Sequence, residues 1–157
     1  MKASSLNELK KELEYKDNKE LLSICLRLAK FKKENKELLT FILFEEGDIT
    51  TYIENVKKET TEYFAEINNS NVYYIKKSIR KILRYVNRHI KFAGSKQAEA
   101  EILIHFCNNI IGFPIPLHKS RQLLNMYETL LNKIDSVLST LHPDLQYDLR
   151  KQLKKIS

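Results

Sequence analysis

The chain has 157 residues, of which 43% are apolar and 30% are charged, a balance typical of a globular protein rather than a disordered one. It contains only three glycines and three prolines, too few for the many tight turns of a β-sandwich or β-barrel. Its 27 Lys and Arg residues exceed its 20 Asp and Glu residues, which gives a net charge of +7. We therefore expect residues 1–157 to form a single all-α domain that is long enough to bury a core.

The N-terminus lacks the charged and then apolar layout of a signal peptide. The apolar runs are also shorter than the roughly 20 residues that cross a bilayer. Cys25 and Cys107 each lie in an apolar helical stripe, which predicts two buried free thiols of the kind that a reducing compartment maintains. These patterns predict a cytoplasmic protein without a membrane span.

Polar capping patterns mark the first four predicted helices. Ser5 precedes Glu8 by three residues, which is a capping box and predicts a helix that ends near Tyr15. The same pattern recurs at Asp17 and Glu20 and predicts a second helix. The next two helices are expected to follow the capping residues Asn35 and Asp48.

A polar loop at 68–71 precedes the helix that is predicted from Val72 to about Phe92, and Gly94 supplies the turn at its end. Ser95 is the predicted cap of the following helix, which Gly112 ends.

The segment Phe113-Pro114-Ile115-Pro116 predicts a stiff, extended connector, because each proline disfavours helix at the residue before it. A possible subdomain joint at 112–117 would separate a main helical unit, 1–112, from a C-terminal helical hairpin, 118–157. Pro143 is expected to begin the last helix. The total is about seven helices with short loops, arranged as an antiparallel bundle or a short stack of helical hairpins.

Two strings of the sequence, residues 26–36 (LRLAKFKKENK) and 94–97 (GSKQ), resemble an uncharacterised bacterial all-helical family. The resemblance extends over the chain to about residue 112. It implies a helical fold of unknown function and supplies no site residues.

The positive charge is concentrated in one segment. No acidic residue occurs between Glu66 and Glu99, and this stretch holds eight basic residues: Lys76, Lys77, Arg80, Lys81, Arg84, Arg88, Lys91 and Lys96. The rest of the chain has 19 basic and 20 acidic residues, so its net charge is −1. On a helical wheel the basic residues from 76 to 91 lie opposite a stripe of aliphatic residues, which predicts a cationic face turned to solvent.

This cationic face has three possible interpretations. It can be a platform for phosphates on nucleic acid or on an anionic ligand, with the border residues Tyr74 and Tyr85 stacking on bases. It can bind an acidic protein. It can also be a solvated face that is partly paired with the preceding acidic residues Glu59, Glu62 and Glu66.

A second anion site is possible where the next helix begins. The backbone N–H groups that follow Ser95 and Lys96 lie close in sequence to Arg88 and Lys91. We include Ser95 and Lys96 among the candidate binding residues for this reason.

The sequence presents no catalytic or metal constellation. Glu101 and His105 are four residues apart and can share a helix face, but a metal site needs three or four converging ligands. We therefore expect no catalytic residues, no metal and no cofactor.

The resulting hypothesis is a non-enzymatic helical interaction domain whose basic face, 76–91, suits an acidic or phosphate-bearing partner. The alternative is a structural or oligomer-forming helical protein that associates with itself through its C-terminal helices, with a basic face that is only solvated.

Overall fold

The computed structural model describes residues 1–114 and 117–153. These residues form eight α-helices and no strand, which confirms the predicted all-α class. The helices are α1 (Leu6–Glu14), α2 (Asn18–Phe31), α3 (Lys33–Thr40), α4 (Ile49–Ala65), α5 (Val72–Ala93), α6 (Lys96–Ile111), α7 (Arg121–Leu138) and α8 (Pro143–Gln152). A π-helical turn, Phe41–Glu45, and two 3₁₀ turns, Glu46–Asp48 and Leu117–Lys119, complete the described elements.

Local hydrogen bonds explain where the first helices begin. Ser5 Oγ accepts from the Glu8 backbone N–H at 3.3 Å, and the Glu8 carboxylate accepts from the Ser5 N–H at 2.7 Å, so the predicted capping box is confirmed. Asp17 and Glu20 form the second capping box. Asn35 is not a cap: α3 begins two residues earlier, and the Asn35 side chain donates to the Leu28 carbonyl at 2.8 Å.

The chain divides into two compact units, Met1–Glu45 and Glu46–Ser157. The boundary therefore lies between Glu45 and Glu46 and not at 112–117, where the sequence suggested a possible joint. In the second unit α7, which follows the proline segment in the sequence, packs closely against α6, which precedes it. The helices α6 and α7 therefore belong to one compact unit.

Helix α6 is the centre of the second unit, and α4, α5, α7 and α8 all pack against it. A helix that is apolar on most of its sides is typical of such a central position. Eight of its residues are buried: Ala98, Ala100, Ile102, Leu103, Ile104, Phe106, Cys107 and Ile110. The buried position of Cys107 agrees with the sequence prediction.

Helix α8 docks back onto its own unit. Leu149 is buried, and the Asn108 side chain of α6 donates to the Gln152 carbonyl at 2.7 Å. Arg150 Nη1 also lies 2.5 Å from Asp135 Oδ1 of α7. The apolar side of the described part of α8 therefore packs against its own unit.

The first unit, Met1–Glu45, buries little. Only Ala29 and Phe41 are buried in it. Cys25 is exposed, so the prediction of two buried thiols is wrong for this residue. The spacing of apolar residues along α2 indicated an apolar helix side but not whether another element covers it. The large apolar side chains that are exposed in this unit are Met1, Leu6, Leu9, Leu13, Tyr15, Leu22, Leu26, Leu28, Phe31, Leu38, Ile42, Leu43 and Phe44.

None of the described helices combines the length and the apolar character that crossing a membrane requires.

Candidate functional site

Helix α5 carries the basic segment and is anchored at both ends. The Asn71 side chain accepts from the Tyr73 N–H at 2.7 Å at the start, and Gly94 adopts φ 61° at the end. A helix of 22 residues is about 33 Å long. The side that faces the unit is made of buried aliphatic residues: Ile75, Ile79, Ile82, Val86 and Ile90. The basic residues project from the other side of the helix.

Most of the basic residues on this side are exposed. Lys76 and Arg88 are half-buried, and the remaining ones from the predicted face are open to solvent: Lys77, Arg80, Lys81, Arg84 and Lys91. Within residues 1–114 and 117–153, no ion pair is formed by Lys77, Lys81, Arg84 or Lys91. None of these four side chains is therefore paired with a carboxylate of the described residues. We call the exposed side of α5, residues 76–91, the basic face.

The acidic residues of the neighbouring α4 segment do not neutralise those four charges. The Glu59 carboxylate instead accepts a hydrogen bond from the Tyr85 hydroxyl of α5. Burial, together with this hydrogen bond, raises the pKa of Tyr85. In the part of the chain that the structure describes, Glu62 and Glu66 form no ion pair with Lys77, Lys81, Arg84 or Lys91.

A groove lies between the first half of α5 and the first turn of α7. Its volume is about 510 Å³, and it is lined by Tyr73, Lys76, Lys77, Arg80, Arg84 and Gln122. Lys76 Nζ and Arg80 Nη2 each donate to Gln122 Oε1 at 3.2 Å. Two cations thus converge on one neutral oxygen, a geometry that a phosphate or carboxylate oxygen can also satisfy. We call this recess the cationic groove.

A second recess, of about 480 Å³, lies where α5 ends and α6 begins, and Lys91, Gly94, Ser95 and Lys96 line it. Ser95 Oγ accepts from the Ala98 N–H at 3.3 Å and so serves as the helix cap that the sequence predicted. The Glu99 carboxylate lies 3.2 Å from Lys96 Nζ and 3.4 Å from Lys133 Nζ. An internal carboxylate therefore already pairs with Lys96, one of the cations of this second predicted anion site.

An aromatic and polar cluster joins α4 to α5 beside the basic face. The Tyr52 hydroxyl lies 2.5 Å from His89 Nδ1, and the ring centroids of Tyr85 and His89 are 4.3 Å apart. Tyr63 packs edge-on against Tyr85 at 5.0 Å. Tyr85 and His89 are four residues apart in α5, a spacing that places both side chains on one side of the helix.

Glu101 and His105, the pair that the sequence offered for a metal, have other partners. Glu101 Oε2 is 3.1 Å from Lys57 Nζ, and Glu101 Oε1 accepts from Gln97 Nε2 at 2.9 Å. His105 Nε2 lies 2.8 Å from Thr61 Oγ1, in a cleft of about 660 Å³ between the ends of α4 and α6. The described residues contain no group of three or more His, Cys, Asp or Glu that is arranged to hold a metal ion.

The structure thus brings Lys76, Lys77, Arg80 and Arg84 together in the cationic groove and places Lys91, Ser95 and Lys96 in the second recess, at the other end of α5. Sequence reasoning missed Gln122 and Tyr73 as parts of the groove. No signal in the sequence indicated Gln122, because it lies 42 residues from Arg80 and has an ordinary polar side chain.

No protein family, curated protein or solved structure was found to match this chain. The resemblance of residues 26–36 and 94–97 to an uncharacterised bacterial family stays a prediction.

Proposed function

We propose that this chain is a non-enzymatic helical interaction domain that binds an acidic or phosphate-bearing partner through its basic face. The observation that carries the proposal is a set of exposed cations, Lys77, Lys81, Arg84 and Lys91, that form no ion pair with the described residues. Because these charges lie on one side of one helix, their potentials add and attract polyanions.

We propose no catalytic role, because Glu101 and His105, the two residues that the sequence offered for a metal site, hold neighbouring helices together. The Glu101 carboxylate pairs with Lys57, and His105 lies within hydrogen-bond distance of Thr61. Both interactions join α6 to α4, so they stabilise the packing of the second unit.

The direct test is binding of the chain to short nucleic acids and acidic peptides at about 50 mM salt, where phosphate contacts are strong. The double variant Arg80→Glu, Arg84→Glu lowers the net charge from +7 to +3, because each substitution changes the charge by two. We expect it to abolish binding while the far-UV circular dichroism spectrum is retained.

A matched control is the double variant Lys10→Glu, Lys11→Glu in α1, which causes the same change in net charge at two exposed residues of the first unit. We expect this control to retain most of the binding. Equal loss of binding in the two double variants would show that only the total charge matters. That result, or no binding to any polyanion, would refute the proposal.

The second candidate function is self-association, which the exposed apolar surface of Met1–Glu45 favours. Tyr15, Phe31 and Phe44 are each at least three-quarters exposed. An aromatic side chain can bury about 150–250 Å², so these three, at about four-fifths exposure, offer roughly 360–600 Å². The exposed aliphatic residues of the same unit add to this apolar surface, and a standard interface buries roughly 800 Å² per partner. We propose that a second copy of this chain covers this apolar surface.

Sedimentation velocity at micromolar concentration tests self-association. We expect a dimer, and we expect Leu22→Glu to shift it to a monomer. Tyr147→Glu is the matched control, because Leu22 and Tyr147 are 60% and 61% exposed but lie in different units. A monomeric wild-type chain would exclude this candidate.

A further inference from the structure

We infer that the cationic groove binds a single phosphodiester strand and that the Tyr73 ring stacks on one of its unpaired bases. This inference rests on the proposed function and names the partner class of the same face. It depends on three features: the convergence of two cations on one oxygen, the aromatic surface at the mouth of the groove, and the spacing of the cations along α5.

The first feature is the position of the Gln122 amide oxygen. It accepts from Lys76 Nζ and Arg80 Nη2 at 3.2 Å each. An amide oxygen carries only a partial negative charge, whereas a phosphate oxygen carries a larger one and makes stronger, charge-assisted hydrogen bonds. A phosphate that displaces this oxygen gains both cations, and Lys77 and Arg84 line the same groove.

The second feature is aromatic surface beside these cations. Tyr73 lines the groove and is 62% exposed, and its ring packs edge-on against Tyr74 at 5.6 Å. The helix therefore begins with rings that are open to solvent next to four cationic side chains. Aromatic rings beside a basic groove are the usual means by which proteins hold single strands, because every base has a face on which a ring can stack.

The third feature is the spacing of the cations along α5, which fits a row of phosphates, while Tyr73 separates a single strand from the other polyanions. Lys76 and Arg80 share one oxygen, and Arg84 lies four residues, or about 6 Å, further along the helix, so it can contact the next phosphate. Consecutive phosphates of one extended strand present charge in such a row. A duplex keeps its bases paired and stacked, so it offers no face to Tyr73, and an acidic peptide has no base to offer.

The experiment compares five probes at the same salt concentration: oligo(dT) and oligo(U) of ten residues, a ten-base-pair DNA duplex, a ten-residue poly-glutamate peptide and inorganic tripolyphosphate. We expect the two single strands to bind most tightly. Tyr73→Ala should weaken their binding by about 5- to 150-fold, the range that stacking on one base contributes, and Tyr73→Phe should retain it. Tyr147→Ala is the matched control, since Tyr147 of α8 is 61% exposed and lies neither in the cationic groove nor in the first unit.

The groove itself is tested by Gln122→Glu, which places a fixed carboxylate between Lys76 and Arg80. We expect weaker binding and a salt dependence whose slope in log K against log salt is shallower by about 0.7 for each phosphate that the protein no longer neutralises. Gln152→Glu introduces the same charge at an exposed residue of α8 and should leave the slope unchanged. Circular dichroism spectra of all variants verify that the fold is retained.

The outcomes distinguish the inference from the proposed function. Equal affinity for the single strands, the duplex and the peptide would overturn the inference, as would an unchanged affinity in Tyr73→Ala. The proposed function would survive either result if Arg80→Glu, Arg84→Glu still abolishes binding. The absence of binding to all five probes would refute both.

Discussion

Replacement of Gly94, the residue that ends α5, isolates the effect of backbone conformation on stability. Its φ of 61° and ψ of 20° lie in the left-handed region, where a residue with a Cβ is roughly 1–2 kcal/mol less favourable than in the right-handed helix. A Cβ built at this position has no atom within 4 Å, so Gly94→Ala creates no clash. We expect Gly94→Ala to lower the free energy of unfolding by about 1 kcal/mol through φ alone.

Gly47→Ala provides the matched control. A Cβ at Gly47 also meets no atom within 4 Å, but its φ is not positive. The added methyl group therefore restricts mainly the unfolded chain and should stabilise the protein by about 0.4–1 kcal/mol. Since 1 kcal/mol shifts the Tm of a chain of this size by roughly 2–4 °C, the two variants should differ in Tm by roughly 3–8 °C.

Thermal and urea denaturation followed by circular dichroism measures this difference. Gly94→Asn should lie between the wild type and Gly94→Ala, because asparagine tolerates the left-handed region better than alanine does. Equal stability of Gly94→Ala and Gly47→Ala would show that φ at residue 94 does not control the end of α5, and the reasoning would then fail.

Three further predictions concern the thiols and the second recess. A thiol reagent at neutral pH should label the exposed Cys25 and not Cys107. Cys107 is fully buried, and burial raises its pKa to about 12. Rapid labelling of two thiols per chain would contradict the buried position of Cys107. The Cys107 thiol of the unfolded chain loses its proton near its ordinary pKa of 9.0, whereas the thiol of the folded chain keeps it. The free energy of unfolding should therefore decrease between pH 9 and pH 12. Urea titrations that show no decrease across this range would argue against a buried thiol. Glu99→Gln should free Lys96 and Lys133 and so strengthen the binding of tripolyphosphate, measured by calorimetry, whereas an unchanged affinity would show that the second recess does not bind anions.

The features that the sequence predicted well are local ones. The capping box at Ser5 and Glu8 and the turn at Gly94 depend on residues within four positions of each other. The side chains of such residues decide the conformation of their own backbone, so the spacing alone is informative. The buried stripe of α5 could be predicted equally well, because helical periodicity determines which side chains share a helix side.

The features that could not be predicted depend on which surfaces meet. Gln122 reaches Lys76 across 46 residues of sequence, and its amide resembles any other surface glutamine before the chain is folded. Cys25 is a second residue whose environment could not be predicted. Its apolar neighbours predict a helix side that prefers burial, but only the tertiary structure shows whether another element covers it.

The small interior of Met1–Glu45 determines how its backbone exchanges hydrogen with solvent. With two buried apolar residues, the unit has little tertiary support, so its amides should open at low free energy, whereas those of α6 should open only near the free energy of global unfolding. A molecule that covers the exposed leucines would raise the opening free energy of α1 by linkage. The deuterium uptake of α1 as a function of protein concentration therefore reports directly whether a second copy covers this surface.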